Sequence, residues 1–91
     1  MRLSQLIINL NHLGITGETS KDVKGVNIDS RKVGQDHLFI AVRGTQADGH
    51  NFIGKAIEAG ASVIVCEDLP ADINPEVTYI KVENSESVVG H

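Results

Sequence analysis

The sequence contains few aromatic side chains and little positive charge. There is no tryptophan, the only Phe and Tyr residues are Phe39, Phe52 and Tyr79, and 8 lysines and arginines stand against 12 aspartates and glutamates. Nucleic-acid-binding proteins use cations to meet phosphates and rings to stack on bases. The composition therefore predicts no nucleic-acid partner, although backbone amides remain able to bind one small anion.

Cysteine is nearly absent as well, and the chain has no long apolar run. Cys66 is the only cysteine, so no disulfide forms within the chain, and a reducing compartment is compatible with that. The start, "MRLSQLIINLNHLG", lacks the continuous apolar core of a signal peptide, and no run approaches the roughly 18 residues of a membrane span. We therefore expect a cytoplasmic protein without a membrane partner.

What the sequence does contain is a series of short apolar patterns separated by polar loops. Helical spacing of Leu and Ile predicts the first helix, and alternating or continuous apolar residues predict strands. Val26 and Ile28 are expected to point inward, Asn51 to cap a helix, and Gly14 and Gly60 to end helices. The predicted elements are a helix at 4–13, strands at 24–29 and 38–42, a helix at 51–59, and strands at 62–66 and 77–82, the last nearer an edge.

Residues 38–66 are predicted to form a strand, a loop, a helix and a second strand. Such a βαβ unit implies parallel strands joined by a right-handed crossover. The predicted fold class is therefore α/β, with a small, mainly parallel sheet flanked by helices, and residues 1–91 are expected to form one domain. Only about nine residues connect the strands at 24–29 and 38–42, which is short for a parallel pair.

Two polar loops follow predicted strands, where α/β sheets bind their ligands. Asp29, Ser30 and Arg31 follow one strand and offer an acceptor, a hydroxyl and a forked cation, which could meet a sugar and a phosphate. The local alternative is that Asp29 or Ser30 caps a turn and Arg31 pairs with a carboxylate. The second loop, "RGTQADGH", could bind a ligand through amides and hydroxyls, or could simply lead into the helix.

Other candidate chemistry is weak. The four histidines lack metal-ligand spacing, so no metal site is expected. His50 is expected to belong to the helix entry, and Cys66 to be a core residue at the end of an apolar strand. Neither a G-x-x-x-x-G-K-[ST] nor a G-x-G-x-x-G phosphate-binding motif occurs, and no paired carboxylates suggest acid–base catalysis.

The combination "VNIDSRKV", "HLFIAV" and "GTQADGH", in this order and ahead of a helix that ends in "AGA", resembles the N-terminal domain of the Mur ligase family, most closely its MurE type. The resemblance covers residues 24–68 closely and 77–86 more loosely. It implies a domain that holds the uridine diphosphate part of a UDP-N-acetylmuramoyl-dipeptide. The implied substrate contacts are Ile28, Ser30, Thr45, Gln46 and Ala47, with possible support from Asp29, Arg31, Asp48 and Gly49.

The resemblance also implies what lies outside this chain. Central ATP-binding and C-terminal domains would complete the enzyme, which uses ATP and Mg to add diaminopimelate or lysine to the dipeptide. No catalytic residue is expected within residues 1–91, nor any ATP binding by this chain alone. Ser85 is expected to cap a helix that leads onward. A MurF-type ligase and a non-enzymic α/β interaction module remain the alternatives, and His37 is an insertion relative to the usual G-D-L-F pattern.

Overall fold

The computed structural model describes residues 2–8, 10, 12–43 and 48–85. They form a five-stranded sheet in the order β1-β5-β4-β3-β2, in which β2 to β5 are parallel and β1 is antiparallel to β5. The α/β class and the mainly parallel sheet are confirmed. The elements are α1 (Leu3–Ile8), β1 (Gly14–Thr16), β2 (Gly25–Asn27), β3 (His37–Ile40), α2 (Ile53–Ala59), β4 (Val63–Cys66) and β5 (Thr78–Lys81), with 3-10 turns at Ser30–Lys32 and Gly49–Phe52.

The hydrophobic core lies on both faces of the sheet, because the central strands carry apolar residues on each side. On one face, Ile53 and Ala56 of α2 pack against alternate residues of β3, β4 and β5, including Phe39 and Tyr79. On the other face, α1 covers the residues that point the opposite way along the same strands. All four residues of β4 are buried, as the continuous apolar run predicts.

The connection between β2 and β3 joins two parallel strands, although it is short for such a pair. Val33 packs into the core on the α2 face, and Asp36 turns the chain into β3 with φ of 60°, in the left-handed region that Asp tolerates. His37, the inserted residue, has its ring against Gly25 of β2, where a Cβ would lie 2.8 Å from His37 Nε2. A glycine at 25 therefore makes room for this ring.

The first helix and Gly14 differ from the prediction. The structure gives α1 the bounds Leu3–Ile8 rather than 4–13, and Gly14 begins β1 instead of ending a helix. The backbone N–H of Leu13 donates to the carbonyl of Lys81 (2.7 Å), which aligns this segment with β5. Pairing with a strand far along the chain overrides the local helical spacing.

The burial of two strands near the edges of the sheet also differs from the prediction. Val26 in β2 and Ile28 just after it are 46% and 54% exposed rather than inward, because β2 is the edge strand of the described sheet. β5 lies one strand in from the edge strand β1 and so is nearer an edge than the central β4, as predicted for 77–82, but it is not half-exposed as its alternating pattern suggests. Its residues Thr78, Tyr79 and Ile80 are fully buried.

The second helix follows the prediction except at its start. Gly60 adopts φ of 119° and its N–H donates to Ile57 (3.1 Å), so it ends α2 in the left-handed conformation, as predicted. Asn51 is not the cap. Asp48 caps the preceding 3-10 turn by accepting a hydrogen bond from the backbone of His50.

Cys66 is buried at the end of β4, as predicted, and burial raises the pKa of its thiol to about 11. The thiolate is the reactive form, so this cysteine is a packing residue in the folded chain. None of the helices in the described part of the chain has the length and apolar character needed to cross a bilayer.

Candidate functional site

An open cleft of about 520 Å³ lies beyond the carboxyl ends of β2 and β3. One wall is the turn that follows β2, the opposite wall is the start of α2, and residues after β3 lie between them. The cleft occupies the position at which parallel α/β sheets bind ligands. Its lining residues are Ile28, Asp29, Ser30, Arg31, Val42, Gly49, Phe52 and Lys55.

The turn after β2 is ordered by Asp29. Its carboxylate accepts a hydrogen bond from the backbone N–H of Arg31 (2.9 Å) and two more from the Arg31 side chain, at Nε (3.1 Å) and Nη2 (2.9 Å). The local alternative considered from the sequence, a turn cap plus an ion pair, is thus present. Ser30 lies between Asp29 and Arg31 in the sequence and lines the cleft. Its hydroxyl has no hydrogen-bond partner among the described residues, so it is available to a ligand.

The Asp29–Arg31 pair gives the Asp29 carboxyl an unusual acidity. Hydrogen bonds from the Arg31 side chain, and then from its backbone, lower the pKa of Asp29 to about 2, against an ordinary value of about 3.9. Because the folded-state pKa is lowered, the pair contributes stability above the ordinary pKa. That contribution is lost as the pH falls through the range from about 4 to about 2.

We expect Arg31→Gln to raise the Asp29 midpoint toward the ordinary value, with the backbone hydrogen bond keeping part of the shift. A carboxyl-carbon NMR titration measures this directly, and Lys32→Gln is the matched control because Lys32 makes the smallest contribution to the shift. A wild-type Asp29 midpoint near 4 would contradict the geometry of this pair.

Gly49 brings the second loop against β3. Its N–H donates to the carbonyl of Val42 (2.8 Å), and a Cβ at this position would lie 2.7 Å from the Val42 nitrogen and 2.9 Å from its oxygen. Only a glycine fits so close to backbone atoms. This approach sets the spacing between the residues after β3 and the start of α2.

Asp48 and His50 anchor the same loop to the residues after β4. Asp48 accepts hydrogen bonds from the His50 backbone (3.0 Å) and ring Nδ1 (2.6 Å), which lower the pKa of its carboxyl. On the other side of the ring, Nε2 accepts from the backbone N–H of Glu67 (2.9 Å). This pattern assigns the proton to Nδ1 and makes His50 a structural link, in keeping with its expected place at the helix entry.

Glu67 extends this network to Ser85. One carboxylate oxygen accepts both the backbone N–H (3.0 Å) and the hydroxyl (2.8 Å) of Ser85, and these bonds lower the pKa of Glu67. Arg43 forms ion pairs with Asp48, Glu67 and Asp68. Ser85 is therefore hydrogen-bonded to the residue that follows β4. The predicted helix beyond Ser85 lies outside the described residues.

The structure brings together most of the described residues that the sequence singled out. Ile28 and Ser30, with the supporting Asp29, Arg31 and Gly49, all line the cleft. Asp48 instead bonds to His50 and Arg43. The predicted contacts Thr45, Gln46 and Ala47 lie outside the described residues. Within the described ranges, no group of three or more His, Cys, Asp or Glu side chains could hold a metal ion.

Sequence reasoning missed three lining residues, Val42, Phe52 and Lys55. Val42 and Phe52 were assigned to a strand and to the apolar face of a helix, and Lys55 was not singled out. A usable signal was present for Lys55, since it lies one turn into the helix that follows a candidate ligand loop.

Comparison with known proteins identifies the family. The sequence model described as "Mur ligase family, catalytic domain" matches residues 22–88. A relative from Phocaeicola vulgatus, named UDP-N-acetylmuramoyl-L-alanyl-D-glutamate–2,6-diaminopimelate ligase, is 48% identical over 90 residues. That match covers 99% of this chain and 19% of the relative, so the chain spans about one fifth of the relative's length.

Solved structures of similar fold carry the name of another member of the family. A crystal structure of MurF from Acinetobacter baumannii is 26% identical, with a TM-score of 0.66 over 77% of this chain and 15% of that chain. A MurF ligase from Thermotoga maritima, solved in complex with ADP, is 30% identical, with a TM-score of 0.64 over 76% and 16%. The family match over residues 22–88, together with these likenesses, shows that the chain belongs to the Mur ligase family.

Proposed function

We propose that this chain is the N-terminal, UDP-binding domain of a MurE-type ligase, which joins 2,6-diaminopimelate to UDP-N-acetylmuramoyl-L-Ala-D-Glu in the cytoplasm. The observation that carries the proposal is the cleft beyond β2 and β3, with the Ser30 hydroxyl, unpartnered among the described residues, on one wall and the start of α2 on the other. A nucleotide has a flat ring, hydroxyls and phosphates, and this lining offers apolar surface, a hydroxyl donor and a cation to match.

We assign the ligase type and the added amino acid from the names of the most similar relatives. The relative at 48% identity is named a 2,6-diaminopimelate ligase, whereas the MurF structures are 26–30% identical. A MurF-type function is therefore the second candidate. The interaction-module alternative differs from both in predicting no nucleotide in the cleft.

Within the cleft, each proposed contact has a distinct role. Ile28 is 54% exposed and offers apolar surface to the uracil side of the ligand, while Ser30 donates to a ribose or phosphate oxygen. By the family resemblance, Thr45, Gln46 and Ala47 would close over the uridine. Asp29, Arg31 and Gly49 would not contact the ligand themselves. They would fix the conformation of the two loops that carry the contacting residues.

The ligation chemistry itself is proposed to use groups outside these 91 residues. Mur ligases use ATP and Mg, and in the whole protein ATP would activate a substrate carboxylate for attack by an amine. Residues 1–91 contain no phosphate-binding loop with its lysine and hydroxyl, so they do not fit an ATP site. We therefore assign substrate binding, and no chemical step, to this chain.

Ser30→Ala in the full-length ligase is expected to raise the KM for the UDP-muramoyl substrate about ten- to a hundredfold. The reason is the loss of one hydrogen bond to a charged group, about 1.5–3 kcal/mol. The KM for ATP and kcat should change little if Ser30 binds ground and transition states equally. Steady-state kinetics with each substrate varied in turn measures the effect.

Chemical-shift mapping with UDP gives the site directly. Shifts are expected at Ile28, Ser30, Gly49 and Phe52. Shifts confined to α1 or to β5 would place the nucleotide elsewhere and contradict the proposed site, and an unchanged KM for Ser30→Ala would remove Ser30 from it.

A further inference from the structure

Two cations line the cleft, and the structure gives them different electrostatic roles. Arg31 donates through Nε and Nη2 to the two oxygens of Asp29, so the pair presents almost no net charge to a ligand. Lys55 differs, because no carboxylate in the described part of the chain lies within 4.0 Å of its Nζ. The uncompensated positive charge at this cleft therefore belongs to Lys55.

The lysine is also held over the cleft wall. Its Nζ lies 6.0 Å from the centroid of the Phe52 ring, which is half-buried and itself lines the cleft. This distance is at the outer limit of a cation–π contact. Among the described residues the ammonium has no hydrogen-bond or ion-pair partner, so its three donors are available to a ligand.

We propose that Lys55 binds the diphosphate of the nucleotide in this cleft and so discriminates a nucleoside diphosphate from a nucleoside. The inference rests on the proposed function, since it assigns a residue to the same site. A flexible ammonium suits this role, because it meets phosphate oxygens as a point charge without the fixed geometry of a guanidinium. The chain as a whole carries a net charge of −4, so a local cation favours an anionic ligand at this cleft over the rest of the surface.

The test compares UDP with uridine, which lacks the phosphates, on the full-length protein by calorimetry at low ionic strength. We expect Lys55→Gln to weaken UDP binding about three- to tenfold while leaving uridine binding unchanged, the range of a solvent-accessible ion pair with a multiply charged partner. Raising the salt concentration should shrink the difference, because exposed charges are screened. Lys55→Arg should retain most of the affinity.

Lys24→Gln is the matched control. It removes one positive charge from another exposed lysine, which pairs with Asp36 (3.7 Å) at the start of β2, away from the cleft. It should change neither ligand's affinity.

Three outcomes would overturn the proposal. Equal UDP affinity in wild type and Lys55→Gln would show that the lysine does not meet the phosphates, and equal weakening of UDP and uridine would assign it to the nucleoside part. If the wild type binds neither ligand, the nucleotide function itself fails. That result is distinct from the other two because it appears before any substitution is made.

Discussion

Replacing Tyr79 with alanine is expected to destabilise the domain by about 3–5 kcal/mol, the usual cost of removing a buried ring from a core. Tyr79 lies at the centre of β5, is fully buried, and packs in the core layer beneath α2. Small domains have a total stability of only about 5–15 kcal/mol, so this loss would remove a substantial part of the free energy of unfolding. Urea unfolding followed by circular dichroism measures the change.

Tyr79→Phe separates packing from hydrogen bonding. The Tyr79 hydroxyl accepts the backbone N–H of Asn74 (3.0 Å), and its removal leaves that donor without its partner while the ring stays in place. We expect a smaller loss of about 1–3 kcal/mol. If Tyr79→Ala costs less than its phenylalanine counterpart, the position of this ring in the core is wrong.

Gly49→Ala and Gly54→Ala are expected to change stability in opposite directions. At Gly49 the new methyl group would meet backbone atoms of Val42 at 2.7 and 2.9 Å, which forces the loop away from β3 at a cost of about 1–3 kcal/mol. At Gly54, inside α2, a Cβ meets nothing within 4 Å. Alanine there should add about 0.5–1 kcal/mol, because it forms helix more readily than glycine.

Gly49→Ala and Gly54→Ala also test whether the cleft binds UDP. Gly49 lines it and Gly54 does not, so Gly49→Ala should weaken UDP binding beyond its effect on stability, whereas Gly54→Ala should bind UDP as the wild type does. Thermal unfolding with and without UDP measures both properties. A neutral or stabilising Gly49→Ala would contradict the close approach of the second loop to β3.

The fold was predictable from sequence where a local pattern decides it. The βαβ unit of residues 38–66 has continuous apolar strands and a glycine stop at Gly60, and all of these reappear in the structure. The strand β1 was missed because three residues are too few for any period to be visible. Only pairing with β5 makes a strand of Gly14–Thr16.

The prediction that the edge strand β2 is buried is wrong because burial, like the pairing of β1, depends on distant parts of the chain. Alternation at Val26 and Ile28 distinguishes two faces of a strand but does not say whether another layer covers either face. Asn51 and Asp48 are both good capping residues. The choice between them depends on His50, whose ring bonds to Asp48 on one side and to Glu67 on the other.

The candidate site was predictable to the extent that it lies in two loops after parallel strands. Ile28, Ser30 and Gly49 line one cleft because β2 and β3 share a direction, which the βαβ pattern alone did not require of β2. The contribution of α2 was not predictable in the same way. Phe52 at the N-cap of α2 and Lys55 in its first turn line the cleft because of where the helix packs on the sheet, and this placement is a tertiary property.

The pairing of β1 with β5 has a consequence for how the chain is made. Gly14 and Lys81 are register partners although they lie 67 residues apart, so the ribosome must synthesise nearly the whole domain before this edge of the sheet can form. Closing so long a loop is costly in chain entropy and slows folding. During translation, Leu3 and Ile7 of α1 would therefore lack their core partners Ile80, in β5, and Val82, just after it. These apolar side chains would stay accessible to chaperones until the end of β5 leaves the exit tunnel.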